Sequence, residues 1–297
     1  MKTRSIRKIM LFAIVIAFAL AAAPRSFAQM RPSYPGTQDV PPPPPPAQQT
    51  PPDKTAPATT TAPAAPKIDP VEEADYKAFY DLKPEDADKR IELGDAFIQK
   101  YPDSKYAESV YSGLSLAEYS KQQFDKMYAN SDKALALNPD DVQMLVIVGW
   151  VIPHSYNPND LNSDALLDKA EKYEKHALAS LATFQKPANL TDDQFTAAKA
   201  AYESQAHSAL GLVYFRKQNW ESAVTELTTA TATSTPPDPT DYYVLGVSLG
   251  HLNRFPEAAD AYTKCAAIPG GLQARCKQQA DDAKKQSAAK PATPAKP

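Results

Sequence analysis

Two stretches near the C-terminal end of the chain align without a gap at an offset of 35 residues, and this repetition constrains the fold more than any other feature. Leu210-Gly211 matches Leu245-Gly246, Trp220 matches Phe255, Ala223 matches Ala258, and Ala230 matches Cys265. A period of this length is one helix-turn-helix unit, which buries its apolar face only by stacking on a neighbour. Each match has a packing role in such a unit. Gly211 and Gly246 let two helices approach closely, and Trp220 and Phe255 open each second helix with a bulky anchor. Ala223 and Ala258 leave room where that helix crosses the first.

The pattern extends towards the N-terminus. From Tyr111 to Asp140, Phe124 is the anchor and Ala134 the late small residue, and Pro139 ends the unit because it has no N–H to donate and restricts its predecessor. Ser115 replaces the small glycine and Met127 the crossing alanine, which predicts looser packing or a shifted angle. Glu72 to Pro102 reads as a divergent first unit, with Ala87, Ile91, Gly94 and Phe97 on one helical face. Asp103 or Ser104 is placed to cap the next helix, with Glu108 in its first turns. Val142 to Ile152 is apolar enough to pass for a strand. Its position after Asn138-Pro139-Asp140, where a first helix is due, favours a helix stopped by Pro153. A loop from His154 to Ser163 then leads to a second helix from Asp164 to about Phe184, where Ala170 and Ala177 repeat the spacing of Ala223 and Ala230. Pro187 and Asn189 break the chain, and Asp192 or Asp193 starts a long helix through Phe215. With a last solvating helix from Leu272 to Gln286, residues 71–286 are expected to form an all-α, curved solenoid of about five helix pairs.

These residues resemble the tetratricopeptide repeat family. Both clear units carry its Leu-Gly, its aromatic about nine residues later and its small residues in the second helix; Tyr111 stands at the usual Trp position of the earlier unit. His207 replaces the usual Trp and Leu249 the usual Tyr. Lys100 to Ser109 is similar to the junction of envelope-associated, exported bacterial members. The resemblance implies a protein-binding scaffold whose first helices line a concave groove. The groove positions are then Ser109, Ser112, Leu116, Tyr119, Gln205, Ser208, Leu212, Phe215, Arg216, Tyr243, Val247 and His251. Arg216 offers a fork of donors and Tyr243 a flat amphipathic face. The family's arrangement of Lys, Asn and Arg that grips a chain-terminal carboxylate is absent from these positions, which disfavours a chaperone-tail receptor.

The flanks read differently. Lys2, Arg4, Arg7 and Lys8 precede 15 uninterrupted apolar residues, Ile9 to Ala23, and Ser26-Phe27-Ala28 offers small residues to an export peptidase. This layout predicts a signal peptide, residues 1–28, cleaved after Ala28. The alternative is an uncleaved anchor, although 15 helical residues rise only about 22 Å against a hydrocarbon core of about 30 Å. No cysteine follows the run to take a lipid. Of the 29 prolines, 14 lie from Pro32 to Pro70, six of them consecutive at Pro41 to Pro46. Residues 29–70 are therefore expected to be a disordered, extended linker, and residues 287–297 a disordered tail.

Little in the chain supports catalysis. His154, His176, His207 and His251 lack a zinc-binding partner at helical spacing, and there is no phosphate-cradling glycine loop and no Gly-x-Ser-x-Gly elbow. Asp192-Asp193 and Asp281-Asp282 read as solvated charge at helix ends. A net charge of −3 from 32 basic and 35 acidic residues, interspersed, excludes the positive field that a nucleic-acid binder needs. Neither a metal, a cofactor nor a small-molecule substrate is expected. Cys265 and Cys276 flank a short turn. An oxidising compartment would join them, closing a loop worth about 3 kcal/mol and fixing the last helix; otherwise they are two buried thiols. The expectation is a non-catalytic scaffold of the cell envelope, periplasmic or secreted, or membrane-tethered if the signal stays, holding a protein or peptide partner. The second reading is a structural spacer bound to cell wall or membrane through its proline-rich segment, and the third an enzyme of unrecognised type.

Overall fold

The computed structural model describes residues 69–186 and 190–289, and every regular element in them is an α-helix. The expected signal peptide, the linker up to residue 68, the break at Pro187 and Asn189, and tail residues 290–297 lie outside the described residues. The helices are α1 (Pro70–Tyr80), α2 (Ala87–Lys100), α3 (Ala107–Ser120), α4 (Phe124–Leu137), α5 (Val142–His154), α6 (Ser163–Thr183), α7 (Asp192–Arg216), α8 (Trp220–Thr233), α9 (Pro239–His251), α10 (Phe255–Ala267) and α11 (Gln273–Ala289). They form two compact units that divide at Met144 and Leu145, inside α5.

In the N-terminal unit the chain turns helical at Pro70, whose fixed φ and missing N–H suit a first helical position; Asp69 caps it by accepting the Val71 N–H at 2.8 Å. Phe79, Phe97, Val110 and Leu114, all buried, form its core. Neither Asp103 nor Ser104, the expected caps, caps α3, which starts at Ala107 after Tyr106. The Ser104 hydroxyl accepts the Tyr106 N–H at 3.0 Å and donates to Glu72 at 2.5 Å, so it closes the preceding turn and ties it to α1. The α3–α4 crossing is not loose. Ser115 and Met127 are both fully buried, and Ser115 Oγ donates to the Met127 carbonyl at 3.1 Å, so a hydroxyl in place of glycine still permits a backbone-close approach.

Val142–His154, within which the units divide, is helical, with Pro153 inside its last turn rather than beyond its end. Pro153 removes the bond that an N–H there would give to the Gly149 carbonyl, and the turn after it is closed by the Ser155 N–H, which donates to the Val151 carbonyl at 2.9 Å. The long helix α7 starts at Asp192, as expected, and Thr191 caps it: its hydroxyl accepts the Gln194 N–H at 3.2 Å while Gln194 Oε1 accepts the Thr191 N–H at 3.0 Å, a reciprocal capping box. The last helix runs to Ala289, so the first three residues assigned to the tail are helical.

Three hairpins share one turn. Gln122, Gln218 and Asn253 have φ near +59°, +58° and +59°, each two residues before the aromatic that opens the second helix. The following N–H groups, of Gln123, Asn219 and Arg254, donate to the carbonyls of Glu118, Tyr214 and Leu249 at 2.9, 2.8 and 2.9 Å. This is a Schellman ending, which satisfies carbonyls that the helix terminus would otherwise leave open.

Candidate protein-interaction surface

The first-helix positions of the N-terminal unit are largely taken up by packing. Ser109 Oγ lies 3.0 Å from the Tyr76 hydroxyl and ties α3 to α1. Ser112 Oγ donates to Glu108 Oε1 at 3.4 Å, and burial together with the neighbouring Asp141 carboxyl pushes Glu108 up to about 7. Tyr119 sits 6.3 Å from the Phe124 ring, and Leu116 is partly exposed.

In the C-terminal unit two expected groove residues turn inward. Ser208 is buried and donates to Asp241 Oδ1 at 2.7 Å, joining α7 to α9. Burial, then the Asp238 charge, pushes the Asp241 carboxyl up to about 8. Leu212 is buried in the core with Leu227, Val244 and Leu245. Both point away from any groove because consecutive first helices pack closely here, so the face that a solitary hairpin would expose becomes the joint between repeats. Gln205 stays partly exposed. Phe215 meets Trp220 edge-on at 5.6 Å, and Trp220 stacks on the exposed His251 at 4.0 Å with the rings 3° from parallel.

Tyr243, Val247 and His251 of α9 come together in a cleft of about 410 Å³, whose other wall is Arg275, Gln279, Asp282, Ala283 and Gln286 of α11. Phe255, Ala258 and Tyr262 of α10 form its floor. The Arg275 guanidinium lies 4.9 Å from the Tyr243 ring centroid, within the range of a cation–π contact. Burial pushes the Tyr262 hydroxyl up to about 12, so it remains a donor at neutral pH. The α11 wall is held by the Cys265–Cys276 disulfide, whose Cα atoms are 5.8 Å apart, an ordinary spacing. The α11 residues escape a sequence reading because α11 lies outside the repeat. Only the solvating pattern of that helix and the second cysteine pointed to it.

Arg216, at the end of α7, stands apart from these. Its guanidinium is 5.4 Å from the ring of Tyr156, in the loop between α5 and α6, and its Nε is buried with no hydrogen-bond partner. Tyr156 carried no motif and was not foreseen.

The shared turn, the close helix crossings and the capping helix define an all-α helical-repeat protein. Among the described residues no group of three or more His, Cys, Asp or Glu side chains is placed to hold a metal ion, and no helix is long and apolar enough to cross a membrane. No family model matches the chain, and no curated protein matches it. Among solved structures it is similar to TTC0263, a thermophilic TPR protein of Thermus thermophilus, at 14% identity over 72% of this chain and 99% of that one, with a TM-score of 0.43. It is also similar to PilW, a widely conserved type IV pilus biogenesis factor, at 14% identity over 75% and 93% of the two chains, with a TM-score of 0.47.

Proposed function

We propose that this chain is a non-catalytic, exported scaffold of the cell envelope that holds a protein or peptide partner against the cleft between α9 and α11. The observation that supports this reading is the convergence of Tyr243, Val247 and His251 with Tyr262, Arg275 and Gln279 on one concave surface. Aromatic faces supply contact area with few rotors to freeze, and glutamine and arginine supply donors and acceptors for a peptide backbone. Affinity capture from envelope extracts tests it: a stoichiometric partner is retained by the wild type and lost on Tyr243→Ala or His251→Ala, with the helical circular dichroism unchanged. Capture by an isolated Gln29 to Pro70 peptide instead would favour the structural spacer. A mature mass that begins at Met1 rather than Gln29 would overturn the cleaved signal.

A further inference from the structure

We infer that Arg216 and Tyr156 form a second recognition point, one that takes a single Asp or Glu side chain of an acidic partner segment. Arginine is usually placed where its fork meets a carboxylate, and a half-buried guanidinium without one is costly. Among the other described arginines, Arg275 lies over the Tyr243 ring in the α9–α11 cleft, and two have oxygen partners. Arg90 donates to the carbonyls of Phe79 and Leu82, and Arg254 grips both oxygens of Glu257.

Arg216 has neither kind of partner among the described residues. The two carboxylates that reach the end of α7 are committed to the neighbouring cation: Lys217, the next residue, holds Asp168 at 2.5 Å and Glu171 at 2.6 Å, and Glu171 also receives Lys175 and the Tyr214 hydroxyl. These bonds outweigh the burial of Glu171 and hold its carboxyl down at about 2, so it stays an anion locked to its own lysines. The positive charge of Arg216 is thus left uncompensated between the end of α7 and the loop after α5.

The surroundings select the ligand. The guanidinium carbon lies over the Tyr156 ring, 5.4 Å from its centroid, within the range of a cation–π contact that restricts where the fork can go. His154, within electrostatic range, is held down to about 4 by burial, so it adds no second charge at neutral pH. One cation suits a monoanionic carboxylate, whereas a phosphate dianion calls for additional donors that this site does not supply.

The inference deepens the scaffold reading by giving the partner a chemistry, yet the two fail separately because Tyr243 and Arg216 lie in different places. The test uses the full chain with fluorescein-labelled, C-terminally amidated decapeptides in which Glu alternates with Ala and Tyr, each matched to its Gln counterpart. The Glu peptide is expected to bind about tenfold more tightly than the Gln peptide, falling to roughly threefold or less in Arg216→Gln, while Arg254→Gln leaves the preference intact. A preference unchanged by Arg216→Gln overturns the site, and tighter, Arg216-dependent binding of a phosphoserine peptide overturns the choice of carboxylate. If Arg216→Gln does not fold, the Arg216 Nε–H resonance of the wild type decides. A saturable shift on titration with acetate supports the site, and no shift sinks it.

Discussion

The hairpins α5–α6 and α9–α10 follow one plan until a single side chain and a single loop. In α9–α10 a Cβ added at Gly246 would sit 2.6 Å from the Tyr262 ring, so the glycine is what lets that ring lie in the crossing. Leu227 fills the same place against Gly211 in α7–α8, where the distance would be 2.5 Å. In α5–α6 the small residue is Gly149 and the residue facing it is Glu174, again at 2.5 Å. Ala170 and Ala177 flank Glu174 as Ala223 and Ala230 flank Leu227, and all four are fully buried. The packing register has therefore outlasted a change from hydrocarbon or phenol to a carboxyl. Glu174 is completely buried, neither of its oxygens has a partner, and burial raises its pKa well above the ordinary range, which favours the neutral acid.

The largest effect expected from this contrast is at the crossing itself. Leu227→Ala should cost about 2–5 kcal/mol, the usual penalty for a cavity in a well-packed core. Glu174→Ala opens a similar space but also removes a buried polar group without a partner, so its cost should be clearly smaller. Urea unfolding of both variants checks this, and equal losses would mean that the Glu174 carboxyl is no liability. The staple at the far end ranks next. Cys265→Ser with Cys276→Ser should lower stability by about 3 kcal/mol, the entropy of a short closed loop. The melting transition should fall with it, and capture by the α9–α11 cleft should weaken because one wall is freed. Full retention of both would make the disulfide dispensable.

Replacing Glu174 by Met keeps the volume and removes the unpartnered group. It should stabilise the protein by about 1–3 kcal/mol. The pH dependence gives an independent reading. With the folded-state pKa raised, the native protein holds the Glu174 proton that the unfolded chain releases above 4.5. Stability is therefore lost as pH rises from there towards the folded pKa, at up to about 1.4 kcal/mol per pH unit. Glu108 and Asp241, pushed up to about 7 and about 8, add slopes of the same sign. The signature of Glu174 is thus the difference between wild type and Glu174→Gln in denaturant midpoints from pH 5 to pH 7. Parallel curves would show that the group is not buried as a neutral acid.

The repeats themselves could be read from the sequence because their signals are local: Leu-Gly, an aromatic at the turn and alanines seven apart each specify one contact within a hairpin. Even α5, apolar enough to resemble a strand, could be assigned from its place in the sequence of helices. Glu174 sits midway between Ala170 and Ala177, at the register of Leu227, so its burial was within reach of the same alignment. Contacts between hairpins were not legible. Ser208 faces Asp241 rather than solvent, and Leu212 enters the core, because the rotation of α7 against α9 is set by both helices and not by either sequence alone. The far wall of the cleft and the Tyr156 partner of Arg216 depend in the same way on residues distant along the chain.

The smallest effect separates the two kinds of turn. Gln218 holds φ near +58°, where a side chain is strained and glycine is not, so Gln218→Gly should gain up to about 1 kcal/mol, less what a more flexible unfolded chain takes back. Asn253→Gly should gain less, since asparagine tolerates this conformation better. The α5–α6 connection is closed by side chains instead: Asn157 Oδ1 accepts the Asn159 N–H at 3.1 Å, and its Nδ2 donates to Asp160 Oδ1 at 2.9 Å. Glycine at Asn157 removes both bonds and should lower the melting temperature. A gain at residue 218 and a loss at residue 157, measured by calorimetry, would show that this hairpin keeps the repeat's helices but has replaced its turn; a gain at both would mean that the longer loop too is limited by backbone strain.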